Sequence, residues 1–256
     1  MNKTYLTALF TLTRKEVVRI LRIWTQTILP PAITMTLYFV IFGNLIGKRI
    51  GEMGGFDYMT FIVPGLVMMS VITNSYGNIV SSFFGAKFSK HVEEMLVSPM
   101  PNWVILFGHV LGALSRGLLV GGIVTIISLF FTEIQIHNIW IVLSTVLLTS
   151  IVFGLAGFVN ACLATKFDDI AIIPAFVLTP LTYLGGVFYS ISLLPDVWQT
   201  ISKFNPVLYM VNAFRYGFLG VSDVNIYTAY AIILTFVVGL TAICLYMLNK
   251  GIGLRT

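Results

Sequence analysis

Charged side chains are scarce in this chain: they make up only 10% of its 256 residues, where a soluble domain carries roughly 25%. That shortage excludes water as the main solvent. Cysteine is nearly absent, and Cys162 and Cys244 have no metal-ligand spacing, so a disulfide framework and a zinc site are both excluded. His91, His109 and His137 likewise lack metal spacing, and no nucleophile and base fall into a catalytic pattern. The expected catalytic set and metal set are therefore empty. Gly43 to Lys48 is one residue short of a phosphate loop, and Arg49 stands where Ser or Thr would follow. Any ATP hydrolysis must come from another chain. No Asp or Glu falls deep in an apolar run, which argues against a proton- or sodium-coupled carrier with a midplane carboxylate. The net charge of +5 is spread over membrane edges and not along one basic stripe, so nucleic acid is not an expected partner. Residues 4–13 lack the length and the small-residue cleavage site of a signal peptide, and are expected to be retained.

What the chain does contain is apolar sequence, 57% of it, with a mean hydropathy of +0.94. Several runs reach the roughly 20 residues needed to cross a hydrocarbon core. Six spans are expected, at about 31–46, 61–84, 103–131, 139–164, from about 170 to the far side of Pro180, and 227–248. Pro174, Pro180, Gly185 and Gly186 predict a kinked or broken fifth span. Before the first span, Leu6, Leu9, Phe10, Thr13, Val17, Ile20, Leu21 and Trp24 recur at helical spacing beside Lys and Arg, the pattern of a helix lying in the interface. Pro30 and Pro31 are expected to mark the turn from that helix into span one. Between spans five and six, two apolar stretches are too short to cross and read as short re-entrant or interfacial helices. The expectation is an all-α integral membrane protein with a single transmembrane permease domain over 1–256: interfacial helix 1–29, six spans over 30–248, and a cytoplasmic tail 249–256.

Orientation follows from the positive-inside bias. Lys3, Arg14, Lys15, Arg19, Arg22, Lys87, Lys90, Lys166, Lys250 and Arg255 fall on one side, against Lys48, Arg49, Lys203 and Arg215 on the other. Both termini are expected in the cytoplasm.

Three groups of residues carry functional readings. In the loop after span two, Phe88, Val92, Met95 and Leu96 share one helical face while Glu93 and Glu94 lie off it, and Ser98-Pro99 ends the segment. Such a helix either rests on headgroups or docks in the groove of a soluble partner. Arg116 lies inside span three, where it either snorkels to the headgroups or holds an anionic substrate group. Tyr183, Phe188, Tyr189, Tyr209 and Tyr216 gather toward the outer side, as an interfacial belt or as a stacking surface along a translocation path. Two small-x-x-x-small pairs on span three, Gly108 with Gly112 and Gly117 with Gly121, predict close helix packing, within the chain or against a second copy.

Phe61-Ile62-Val63-Pro64-Gly65, Val92 to Pro99, Leu184 to Phe188, Leu194-Pro195, Asn205-Pro206 and Arg215-Tyr216-Gly217, in this order, resemble the type-2 ABC exporter permeases, among them the YadH-type inner-membrane permeases of Gram-negative bacteria. The resemblance covers essentially the whole chain. It implies six helices per permease and a cytoplasmic coupling helix, here Lys87 to Leu96, that docks on a separate ABC ATPase. It implies two permeases with two ATPase copies, MgATP held by those partner subunits, and no cofactor in this chain. A bacterial inner-membrane homodimer exporting an amphipathic, lipid-linked or drug-like substrate is the function it implies. Competing readings are an ion-coupled secondary transporter, a membrane enzyme acting on lipid-linked material, and a membrane subunit that moves with an ATPase but transports nothing.

Overall fold

A computed structural model describes residues 3–254; Met1 and Asn2, and Arg255 and Thr256 of the expected tail, lie outside them. The chain folds almost wholly into helices. In order these are α1 (Lys3–Arg22), α2 (Trp24–Tyr38), which continues in π geometry over Phe39–Gly47, and the single turn α3 (Lys48–Ile50). A two-stranded hairpin, β1 (Glu52–Met53) with β2 (Phe56–Asp57), then leads into α4 (Tyr58–Phe88), α5 (His91–Val97), α6 (Asn102–Ser128) and α7 (Ile139–Leu163). After α8 (Phe167–Ile173), a π segment (Pro174–Leu178) and α9 (Thr179–Leu184), the chain passes through α10 (Asp196–Lys203) and α11 (Pro206–Leu219) to α12 (Ile226–Lys250).

Among the described residues, six helical segments are long and apolar enough to cross a bilayer: Trp24–Gly47, Tyr58–Phe88, Asn102–Ser128, Ile139–Leu163, Phe167–Leu184 and Ile226–Lys250. The fifth is broken as its prolines require, with α8, the π segment and α9 joined end to end. The two short helices expected before the last span are present as α10 and α11. One boundary differs from expectation. The turn between α1 and the first span falls at Ile23, and Pro30 and Pro31 sit inside α2. A proline pair removes two backbone donors, and within a membrane helix the freed carbonyls can be satisfied by neighbouring backbone and side chains.

Several of the helices share a device at their first turn. Asp57, Asn138 and Asn225 each accept hydrogen bonds from the first-turn N–H groups of α4, α7 and α12, and Asn205 does so for α11, with Pro206 in its first turn. Those N–H groups have no partner within the helix, so the caps remove a desolvation cost of about 1 kcal/mol each.

The core sits around α4. The most apolar stretch of α4 is 78% buried, against 12% for the first span and 11% for the fifth, so α4 is the central post and those two are peripheral. The glycines of α6 make the packing possible. A Cβ on Gly108 would lie 2.5 Å from Leu12 Cδ2, and one on Gly112 only 2.6 Å from Glu16 Cβ. One on Gly117 would collide with Ser75, and one on Gly121 would come 2.8 Å from Val71 Cγ2. Gly108 and Gly112 thus receive α1, and Gly117 and Gly121 receive α4. These glycine pairs serve packing within one chain.

Candidate coupling site and substrate path

The α4–α5 corner is made by two residues, Ser89 and Lys90. Lys90 adopts a left-handed φ of 62°, alone among the described residues other than glycine, and the reversal turns the chain sharply out of the span. At the other end of α5, Ser98 Oγ donates to Met95 O at 2.6 Å, and Pro99 cannot continue the helix. A seven-residue helix has little stability of its own and must bury an apolar side. Val92 does this: it is 1% exposed in a cluster with Phe84, Leu106 and Phe158. Met95 and Leu96 are half-buried on the same cluster.

The structure divides the residues of the expected docking face. Val92, Met95 and Leu96 turn toward their own chain, and Phe88 belongs to the last turn of α4. What α5 leaves outside is His91, Glu93, Glu94 and Val97. Beside them stands an aromatic group that the sequence reading missed, with Phe167 5.0 Å from both Phe84 and Phe88. Phe88 and Phe167 remain 61% and 56% exposed, so this pair is open to a partner. The signal for Phe167 was its place in a short charged loop, Lys166-Phe167-Asp168, where an aromatic has no apolar run to join. Lys87 holds the two loops together: its Nζ donates to Cys162 O at 2.7 Å and Ala164 O at 2.6 Å, capping the end of α7. A groove of about 930 Å³ separates α5 from α1, with Thr7, Thr11 and Lys15 on one wall and His91, Glu94 and Met95 on the other.

Glu16 anchors α1 beneath this groove. It is fully buried, accepts from Ser82 Oγ at 2.6 Å, and pairs with Arg19 at 3.0 Å. Arg19 also donates to Asn78 Oδ1 at 2.8 Å. Burial pushes the Glu16 carboxyl up, but His109, Arg19 and the Ser82 hydroxyl together outweigh it and leave the pKa below the ordinary 4.5. Most of the apolar stripe read as interfacial faces outward, with Leu6, Phe10, Leu21 and Trp24 exposed; of its members Ile20 turns inward, beside Leu12 and Glu16, which are buried. A lipid-facing stripe beside a docked polar edge is the geometry of an interfacial helix held by protein on one side.

Of the six residues expected along a substrate path, Tyr183, Phe188 and Tyr189 come together, and Arg116, Tyr209 and Tyr216 stand apart from them. Arg116 is half-buried on α6, where its Nε donates to Asn74 Oδ1 at 3.3 Å, one helical turn from the Asn78 that Arg19 contacts. Tyr183, Phe188 and Tyr189 lie at the opposite end of the bundle from α5. There the Phe188 ring stacks on Phe42 at 4.8 Å and meets Tyr38 and Tyr183 at 6.0 and 5.8 Å, tying the fifth span to the first. Tyr189 Oη donates to Tyr183 O, and Tyr209 is buried with its hydroxyl on Lys203 O. Tyr216 packs edge-on against His137, away from the aromatic group. Arg215, counted from sequence among the charges of the outer side, is 1% exposed inside α11.

A family model described as ABC-2 type transporter matches residues 7–219, from α1 to the end of α11. The chain belongs to the ABC-2 type transporter family. Over its full length this ABC-2 chain is similar to the inner membrane transport permease YadH of Escherichia coli (strain K12), with 56% identity over 256 residues and 100% of both chains covered. It is also similar to nodulation protein J of Rhizobium leguminosarum bv. trifolii, 25% identical over 185 residues, covering 72% of this chain and 71% of that one. Nodulation protein J of Neorhizobium galegae is 24% identical over 214 residues, 82% and 77% of the two chains. Membership makes this ABC-2 protein the permease subunit of a transporter. Its six candidate spans, the α4–α5 corner and the paired short helices α10 and α11 all fit that role.

Proposed function

We propose that this permease is the membrane subunit of an ATP-driven exporter of the bacterial inner membrane, with both termini cytoplasmic and ATP hydrolysed by a separate pair of subunits holding MgATP. The observation that carries the reading is α5: a short helix rooted by Val92 in the protein core, presenting Glu93, Glu94 and Val97 beside Phe88 and Phe167. Acidic side chains around an exposed apolar patch suit a basic-rimmed groove on a soluble partner. Movement of that partner would be carried into α4 through the Ser89-Lys90 corner. Two copies of this chain are expected to assemble. The first and fifth spans, least buried and joined by Phe188, offer apolar faces for a second copy or for lipid. An amphipathic, lipid-linked or drug-like cargo suits a unit whose exposed surface is apolar along its full height, and the direction outward rests on the family.

The test is affinity purification from the native membrane in mild detergent, followed by an ATPase assay on what co-purifies. A nucleotide-binding subunit in equimolar amount, with hydrolysis lowered at least fivefold by Glu93→Lys with Glu94→Lys while the permease stays inserted, supports the reading. Because Val92 is internal, Val92→Ala should lower the yield of folded permease and not uncouple it selectively. A chain recovered alone, or charge reversal without effect on hydrolysis and assembly, would sink the reading and favour transport without an ATPase.

A further inference from the structure

At the end of the bundle away from α5, a cavity of about 460 Å³ opens between the β1–β2 hairpin, the start of α4 and the segments flanking α11. Its volume lies within the roughly 300–1,000 Å³ of small-molecule sites. Arg215 forms its buried wall. Arg215 is 1% exposed, its Nη2 donates to Gly186 O at 2.6 Å, and its Cζ lies over the Phe61 ring, 4.0 Å from the ring centre. Nε and Nη1 have no acceptor among the described residues, so three N–H groups of a buried cation remain unanswered. Donors left so are costly, and a charged acceptor is the partner that compensates most.

The neighbouring carboxylates do not supply it. Asp223 is turned to Ser190 Oγ at 2.5 Å and to the Ile191 N–H at 3.1 Å. Glu52 stands exposed at the mouth, on the hairpin, with no ion pair among the described residues. The cavity therefore has a positive inner wall with free donors and a negative rim. A simple anion would satisfy Arg215 but face two carboxylates, and a simple cation would meet the reverse conflict. A zwitterion whose anionic end goes in first answers both signs. We propose that this cavity binds a zwitterionic phosphate-and-amine headgroup of the phosphoethanolamine kind, with the phosphate oxygens on Arg215 and the ammonium toward Glu52 and Asp223. Leu193, 65% exposed at the rim, gives an acyl chain an apolar place to leave the cavity, which favours a lipid as the source. The site does not depend on which side of the membrane this end faces, or on the exporter reading.

The test uses the full chain in detergent, free of phosphate buffer, titrated calorimetrically with four probes: dihexanoyl phosphatidylethanolamine, dihexanoyl phosphatidylglycerol, O-phosphoethanolamine and inorganic phosphate. The expected result is at least tenfold tighter binding of the ethanolamine lipid than of the glycerol lipid. Glu52→Gln, an exposed change that leaves the fold intact, should abolish that preference. Ser192→Trp, which fills the mouth from its exposed position, should abolish binding of every probe. Weaker binding of O-phosphoethanolamine than of its lipid would assign a lipid headgroup, and equal binding would assign a soluble zwitterion; both support the site. Equal affinity for the two lipids, inorganic phosphate binding as tightly as either, or wild-type behaviour of both variants would overturn it.

Discussion

Removing the Glu16 carboxylate by Glu16→Ala tests whether α1 is held by charge or by packing alone. The carboxylate accepts three hydrogen bonds, one from Ser82 and two from Arg19, in a fully buried setting. Its loss leaves the Arg19 guanidinium with only Asn78 as acceptor. Stripping one partner from a buried ion pair costs about 3–5 kcal/mol. Arg19 keeps 26% of its side chain exposed and can reach water, and polar contacts in membrane proteins average about 0.6 kcal/mol, so the lower value of about 2–3 kcal/mol is expected here. At about 2–4 °C per kcal/mol for a chain of this size, the midpoint of thermal unfolding in detergent should fall by about 4–12 °C. Amides of α1 should exchange faster in step. The double change Glu16→Ala with Arg19→Ala should recover part of the loss, because it removes the cation left without its partner. The pH dependence has a fixed sign. A carboxyl with a depressed folded pKa stabilises fully above its unfolded value near 4.5 and loses that contribution as pH falls through the folded value. Wild type should therefore lose its advantage over Glu16→Gln on acidification below about pH 4.5. A Glu16→Ala midpoint within about 2 °C of wild type, with unchanged α1 exchange, would refute the electrostatic account.

Gly112→Leu should displace α1 from α6, because even a Cβ there meets Glu16 Cβ at 2.6 Å; a disulfide engineered between α1 and α6 should then form several-fold more slowly than in wild type. Lys87→Met should cost about 1–3 kcal/mol by leaving the Cys162 and Ala164 carbonyls without their donor, read as a lower unfolding midpoint and faster proteolysis at the α7–α8 loop.

The spans were legible because a bilayer demands long apolar runs, and the short helices α10 and α11 because Pro195 and Asn205-Pro206 punctuate them. The broken fifth span followed from its prolines in the same way. The seat of α1 was not legible. Its buried row, Leu12, Glu16 and Ile20, is interrupted by a carboxylate, so a hydrophobic count finds the row that faces lipid and passes over the one that meets protein. The direction of Val92 was hidden for a related reason: periodicity gives the apolar face of α5 but not what covers it. Arg215 was counted with the charges of the outer side because the short helix holding it cannot cross, whereas α11 is buried without crossing. Among the residues set out as a substrate path, aromatic content drew Tyr209 and Tyr216 into one group, and only the packing separates them from Phe188.

α4 runs for 31 residues, roughly 46 Å at 1.5 Å per residue. One end continues through a two-residue corner into the surface proposed to meet a soluble partner, and near the other the Phe61 ring lies under Arg215. A rod anchored at both ends behaves as a balance beam: if it shifts as a unit, the two ends cannot be occupied independently. Whatever factor a bound headgroup applied to the partner's affinity, the partner would return to the headgroup's, by thermodynamic necessity. Lipid composition at one face of the membrane would then set the grip of a protein at the other.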